Sequence, residues 1–137
     1  MGFFKALIVE DNSHFRHTLR DILSSQFPYM AIEEAEDGKD ALQKVDTILP
    51  DLVFMDINLP GESGLQLTRK IKTKHPEIVV IVLTSYDLPE YEEAAFQYGA
   101  NFFMIKGLSQ KEEMLALVES ILKDSGFSLN GCQGERP

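Results

Sequence analysis

Residues 50–65 read Pro50-Asp51-Leu52-Val53-Phe54-Met55-Asp56-Ile57-Asn58-Leu59-Pro60-Gly61-Glu62-Ser63-Gly64-Leu65. Leu52 to Met55 run on without the polar alternation of a sheet that has one wet face. They read as a strand covered on both faces, the habit of parallel sheets. The run ends on a carboxylate, Asp56, and a Pro-Gly turn signal follows it. Three further unbroken runs share this character: Ala6-Leu7-Ile8-Val9, Ile78-Val79-Val80-Ile81-Val82-Leu83 and Phe102-Phe103-Met104-Ile105. A fifth, Tyr29 to Ala35, carries Glu33 and Glu34 and suits an edge position.

Helical stripes separate these runs. Phe15, Leu19, Ile22 and Leu23 follow the capping residues Asn12 and Ser13, with Pro28 near the end. Ala41, Leu42 and Val45 mark a second helix over Gly38–Thr47, and Ser63 to Lys74 a third that stops before His75-Pro76. Leu88, Tyr91, Ala95 and Tyr98 mark a fourth closed by Gly99, and Met114, Leu117, Val118, Ile121 and Leu122 a fifth. Strand then helix, five times over, predicts a doubly wound α/β fold: five helices around a five-stranded parallel sheet of order 2-1-3-4-5, on the flavodoxin-like pattern.

The length of 137 residues suits one domain, expected over residues 1–124, and the Gly-rich stretch 125–137 reads as a polar tail or a truncated linker. The composition, 44% hydrophobic and 26% charged, is that of a soluble globular protein. A net charge of -9 opposes direct nucleic-acid binding, which depends on Lys and Arg neutralising phosphates. The one cysteine, Cys132, excludes a disulfide framework and fits a reducing cytoplasm. Glu10 and Asp11 interrupt the first apolar run too early for a signal peptide or a membrane span. Met1-Gly2 is only a weak partial match to a myristoylation signal.

In open α/β sheets reactive groups gather beyond the carboxyl ends of the strands. Here those ends carry Glu10-Asp11, Asp56, Thr84-Ser85 and Lys106. Carboxylates held together repel one another unless they share a cation, and a hard dication that keeps some of its waters, Mg²⁺, is the natural one. With Lys106 and the Thr84 hydroxyl on the remaining oxygens, the set suits phosphoryl transfer to an aspartate nucleophile.

Taken in order, Leu7-Ile8-Val9-Glu10-Asp11, the 50–65 segment, Val82-Leu83-Thr84-Ser85 and Gly99-Ala100-Asn101-Phe102-Phe103-Met104-Ile105-Lys106 resemble the response-regulator receiver family of two-component signalling, over about residues 4–123. The resemblance implies Asp56 as phosphoacceptor, Asp11 as a direct Mg²⁺ ligand, Glu10 acting through water, and Asn58 giving its backbone carbonyl to the ion. It implies Thr84 as the switch hydroxyl that moves toward the phosphoryl group, Lys106 as the ion-pair partner of that group and Phe103 as the aromatic switch, altering the face of the fourth helix, fifth strand and fifth helix. It further implies a sensor histidine kinase or histidine phosphotransfer protein as partner, with a receiver homodimer and a C-terminal output domain as further partners. Such a chain is not an enzyme beyond its own phosphotransfer and autodephosphorylation. One departure stands out: Gly107 follows Lys106 where the family usually has Pro, so a trans, more mobile loop is expected. Loss of that Pro resembles receivers attached to helix-turn-helix outputs.

Plainer readings compete. Glu10 or Asp51 alone would be a solvated loop acid; His14, His17 and His75 read as surface histidines rather than ligands. Phe102 and Phe103 fall on opposite faces of their strand, and Tyr86 reads as an exposed gatekeeper or an ordinary loop tyrosine. Among other functions, an FMN-binding flavodoxin would need a phosphate cradle where Glu10-Asp11 repels phosphate. A haloacid-dehalogenase-type phosphohydrolase would need an acid at Asn58. A receiver-like interaction module that is not phosphorylated is the alternative that retains all the site residues.

Overall fold

The computed structural model describes residues 3–86, 88–107 and 111–126. Five strands, β1 (Phe4–Val9), β2 (Met30–Ala35), β3 (Leu52–Asp56), β4 (Val79–Thr84) and β5 (Phe102–Ile105), alternate with five helices. The helices are α1 (Ser13–Gln26), α2 (Gly38–Ile48), α3 (Gly64–Lys74), α4 (Pro89–Gln97) and α5 (Lys111–Asp124). The sheet is parallel throughout, in the order β2-β1-β3-β4-β5, so the polar strand does lie at an edge. This is the flavodoxin-like doubly wound fold.

Alternation along each strand splits the core in two. Ala6, Ile8, Leu52, Phe54, Ile81, Leu83 and Met104 face Leu19 and Leu23 of α1 and Met114, Val118, Ile121 and Leu122 of α5. Leu7, Val9, Val53, Met55, Val80 and Val82 face Ala41 and Val45 of α2, Leu67 and Ile71 of α3 and Ala95 of α4. Phe102 packs with the first group and Phe103 with the second, the division expected of neighbours on a strand.

Capping fixes where three helices begin. Asn12 accepts the Phe15 N–H at 3.0 Å, Asp37 the Asp40 N–H at 2.8 Å and Ser63 the Leu65 N–H at 3.1 Å. Helix α4 has no side-chain cap: it opens with Pro89, and Leu88, expected on its apolar stripe, is instead the exposed N-cap. The missing N–H and preset φ of Pro suit the first helical position, which moves the start one residue on. At the opposite end of the sheet, Asp51 ties three strands together. Its carboxylate accepts the Lys5 N–H at 2.9 Å, its N–H meets the Lys5 carbonyl at 2.8 Å, and its carbonyl accepts the Val79 N–H at 3.1 Å.

The C-terminal segment from residue 127 lies outside the described residues. Among those described, no helix is long and apolar enough to cross a membrane.

Phe54 is 1% exposed in the middle of the central strand. Phe54→Ala should cost about 3–5 kcal/mol through lost burial and the cavity left behind. A urea titration checks this as a lower midpoint at unchanged slope.

Candidate functional site

The strand ends bring the expected acids together. Glu10, just past β1, and Asp56, the last residue of β3, are 3% and 5% exposed, whereas Asp11 is open to solvent. One carboxylate oxygen from each of the three lies within 4.8 Å of the others, a spacing able to hold a metal ion. Two buried carboxylates this close are unfavourable without a cation, and Lys106 supplies part of the compensation. Its Nζ lies 2.6 Å from Glu10 Oε1 and 3.2 Å from Asp56 Oδ1, and 4.7 Å from the centroid of the Phe15 ring on α1.

One ammonium does not neutralise the site. Burial, then the charge of Glu10, pushes the Asp56 carboxyl up to about 6, against the opposing pull of Lys106 and of the Asn58 backbone N–H. The donor set is all hard oxygen, with an exposed acid at its mouth, and so fits Mg²⁺, which binds through one or two carboxylates and keeps waters.

Glu10 is restrained on every side. Its N–H reaches the Ala35 carbonyl at 3.0 Å, its second carboxylate oxygen accepts the Asn12 N–H at 3.1 Å, and its own carbonyl accepts from Arg16 Nη1 at 2.7 Å. Thr84 is fully buried at the end of β4, and its hydroxyl oxygen accepts the Tyr86 N–H at 3.1 Å. Lys106 is joined to it through the backbone, N–H to Thr84 carbonyl at 2.8 Å. Phe103 is half-buried, beside Val82 in register, on the α4 side. The ring of the exposed Tyr86 lies 5.9 Å from that of Tyr91 on α4. Gly107 adopts φ +152°, and no peptide bond among the described residues is cis, as its replacement of Pro led us to expect.

Of the histidines, His14 and His17 are exposed as expected. His75 is largely covered instead, its Nε2 3.2 Å from Asp46. Two residues that shape the site could not be read from the sequence. The first is Arg16, whose contact with Glu10 depends on the turn between β1 and α1. The second is Gly64: a Cβ there would sit 1.9 Å from the Asp56 carbonyl oxygen. Its N–H bonds the Ile57 carbonyl at 2.8 Å, so the start of α3 presses directly on the strand end that bears Asp56.

A family model described as the response regulator receiver domain matches residues 6–119, and the chain belongs to that family. Receiver domains of this kind are signalling modules of two-component response regulators. Among its relatives, the oxygen regulatory protein NreC of Staphylococcus haemolyticus is 35% identical over 124 residues, 90% of this chain and 57% of that protein. The transcriptional regulatory protein DegU of Brevibacillus brevis is 29% identical over 115 residues, 84% of this chain and 47% of that protein. A solved LuxR-family two-component response regulator from Aurantimonas superposes with a TM-score of 0.80 at 27% identity, covering 88% of this chain and 85% of that one. The chain spans about half the length of the curated relatives it matches.

Because the folded state holds the Asp56 proton more tightly than the unfolded chain, stability in metal-free buffer should fall as pH rises through the window from 3.8 to about 6. Asp56→Asn removes that penalty. The variant should be more stable than the parent by about 1–3 kcal/mol at pH 7.5 and level with it near pH 4, as read by denaturant unfolding at both pH values. Gly64→Ala should instead lose about 2–4 kcal/mol, because strand and helix must separate to admit the methyl group; the same titrations check it.

Proposed function

We propose that this chain is a phosphoacceptor receiver, phosphorylated on Asp56 in a Mg²⁺-dependent reaction, and that it signals through the face of α4, β5 and α5. The observation that carries the reading is the buried Asp56 carboxylate, raised in pKa, 3.2 Å from Lys106 and grouped with Glu10 and Asp11 at the carboxyl edge of the sheet. An aspartate so placed is shielded from water and held for in-line attack.

A carboxylate oxygen of Asp56 forms the new O–P bond as the P–N bond of a donor phosphohistidine breaks. Glu10, Asp11, Asp56 and the backbone carbonyl of Asn58 would hold Mg²⁺, which when bound offsets the charge shared by carboxylate and phosphoryl oxygens. Lys106 pairs with the phosphoryl group as it now pairs with Glu10 and Asp56. The Thr84 hydroxyl gives up the Tyr86 N–H for a phosphoryl oxygen, and Phe103 turns into the space this opens, repacking the α4 side. The donor is a sensor histidine kinase or a histidine phosphotransfer protein. The receiver occupies residues 1–124, and residues 125–137 are a polar tail or a truncated linker; an output domain joined to it would account for the greater length of the relatives. A receiver homodimer and a cytoplasmic location belong to the same proposal.

Intact mass after incubation with phosphoramidate is the direct test. A gain of one phosphoryl group is expected with Mg²⁺, none without it and none in Asp56→Asn. No gain under any condition would make the chain a receiver-shaped binding module instead. Lys106→Ala should still accept the phosphoryl group but lose the phosphorylation-dependent change in partner or dimer affinity, measured by sedimentation with and without phosphoramidate.

A further inference from the structure

Arg16 does more than pair with a neighbour. Its side chain, 11% exposed, places Nε 2.6 Å from Glu34 Oε1 on β2 and Nη1 2.7 Å from the carbonyl of Glu10. Glu34 is itself fixed, for its other oxygen lies 2.6 Å from Arg20 and its backbone carbonyl accepts from Lys44. Burial works to raise the Glu34 carboxyl, yet hydrogen bonds and charge from Arg20 and Arg16 outweigh it and hold the group below its ordinary value. The carboxylate is therefore an ionised anchor, and the planar guanidinium fork spans from it to the Glu10–Asp11 peptide. Since a peptide is planar, fixing that carbonyl fixes the direction in which the backbone of Asp11 leaves Glu10.

We propose that Arg16, anchored by Glu34, is a positioning residue that aims the Glu10 and Asp11 carboxylates and thereby sets the divalent-cation affinity of the site. The inference rests on the reading of this cluster as a Mg²⁺ site. Its sign separates it from simple electrostatics. Removing a cation from the surroundings of three acids should tighten dication binding by Coulomb's law, whereas losing a strut should weaken it.

Mn²⁺ is a suitable probe, its free concentration read by electron paramagnetic resonance during titration of the full 137-residue chain. Asp11→Asn, Arg16→Met, Arg16→Lys, Glu34→Gln and the double variant Arg16→Met/Glu34→Gln are compared with the parent, each first shown by thermal melting to fold cooperatively. Arg16→Met and Glu34→Gln should each weaken Mn²⁺ binding about tenfold, the lower end of what outer partners of metal ligands contribute. Arg16→Lys, which keeps the charge but not the fork, should resemble Arg16→Met. The double variant should be no weaker than Arg16→Met, because Glu34 acts through Arg16.

Binding by folded Arg16→Met as tight as or tighter than the parent overturns the proposal, and additive losses in the double variant overturn the role of Glu34. If Arg16→Met does not fold, Arg16→Lys decides, since charge alone predicts no change there: weaker binding supports the strut and unchanged binding overturns it. Unchanged affinity in Asp11→Asn would overturn the cation site itself, and this inference with it. Loss in Asp11→Asn with parental affinity in Arg16→Met would leave the site standing and remove only the strut.

Discussion

Two carboxylates buried at the end of a sheet, with one ammonium between them, form the constraint on which the rest of this molecule depends. Glu10 and Asp56 would each be cheaper in water, and Lys106 offsets only part of the cost of keeping them out of it. The remainder is carried by a core apolar on both faces of β1, β3 and β4, which holds their last residues in place whether or not the charges are content there. A fold shaped by stability alone would not keep such a pair, and costs of this kind gather at functional sites.

The fold was legible because its signal is redundant. Unbroken apolar strands, capping residues at Asn12 and Ser13, and acids where the first and third apolar runs end all point to one arrangement. The small errors fell where a local rule overrode periodicity. Leu88 matches the apolar stripe of α4, but Pro89 takes the first helical position and leaves Leu88 outside, exposed. His75 follows the end of α3 and was read as a surface residue; only the packing of α2 against α3 puts Asp46 beside it.

For the site, the groups carrying chemical type were legible and those carrying geometry were not. Glu10, Asp11, Asp56, Thr84 and Lys106 stand out as polar residues at the ends of apolar runs. Gly64 looks like any turn glycine in the sequence, and its necessity appears only when the Asp56 carbonyl is seen where a Cβ would be. Arg16 and Glu34 are separated by a whole helix and a turn, and each reads alone as a solvated charge. Contacts of this sort are set by how α1 lies across β2, which no local pattern encodes.

The hydrogen bond between the Thr84 hydroxyl oxygen and the Tyr86 N–H bears on how firmly the resting form is held. It is a neutral bond beside an exposed segment, where water can replace the acceptor, so breaking it should cost only about 1 kcal/mol. Were that bond the main difference between the two, an alternative rotamer of Thr84 would be occupied at a level on the order of ten per cent. On the proposed reading the two forms would then be closely balanced members of one ensemble, and a modest bias from a partner would redistribute them as a covalent mark would.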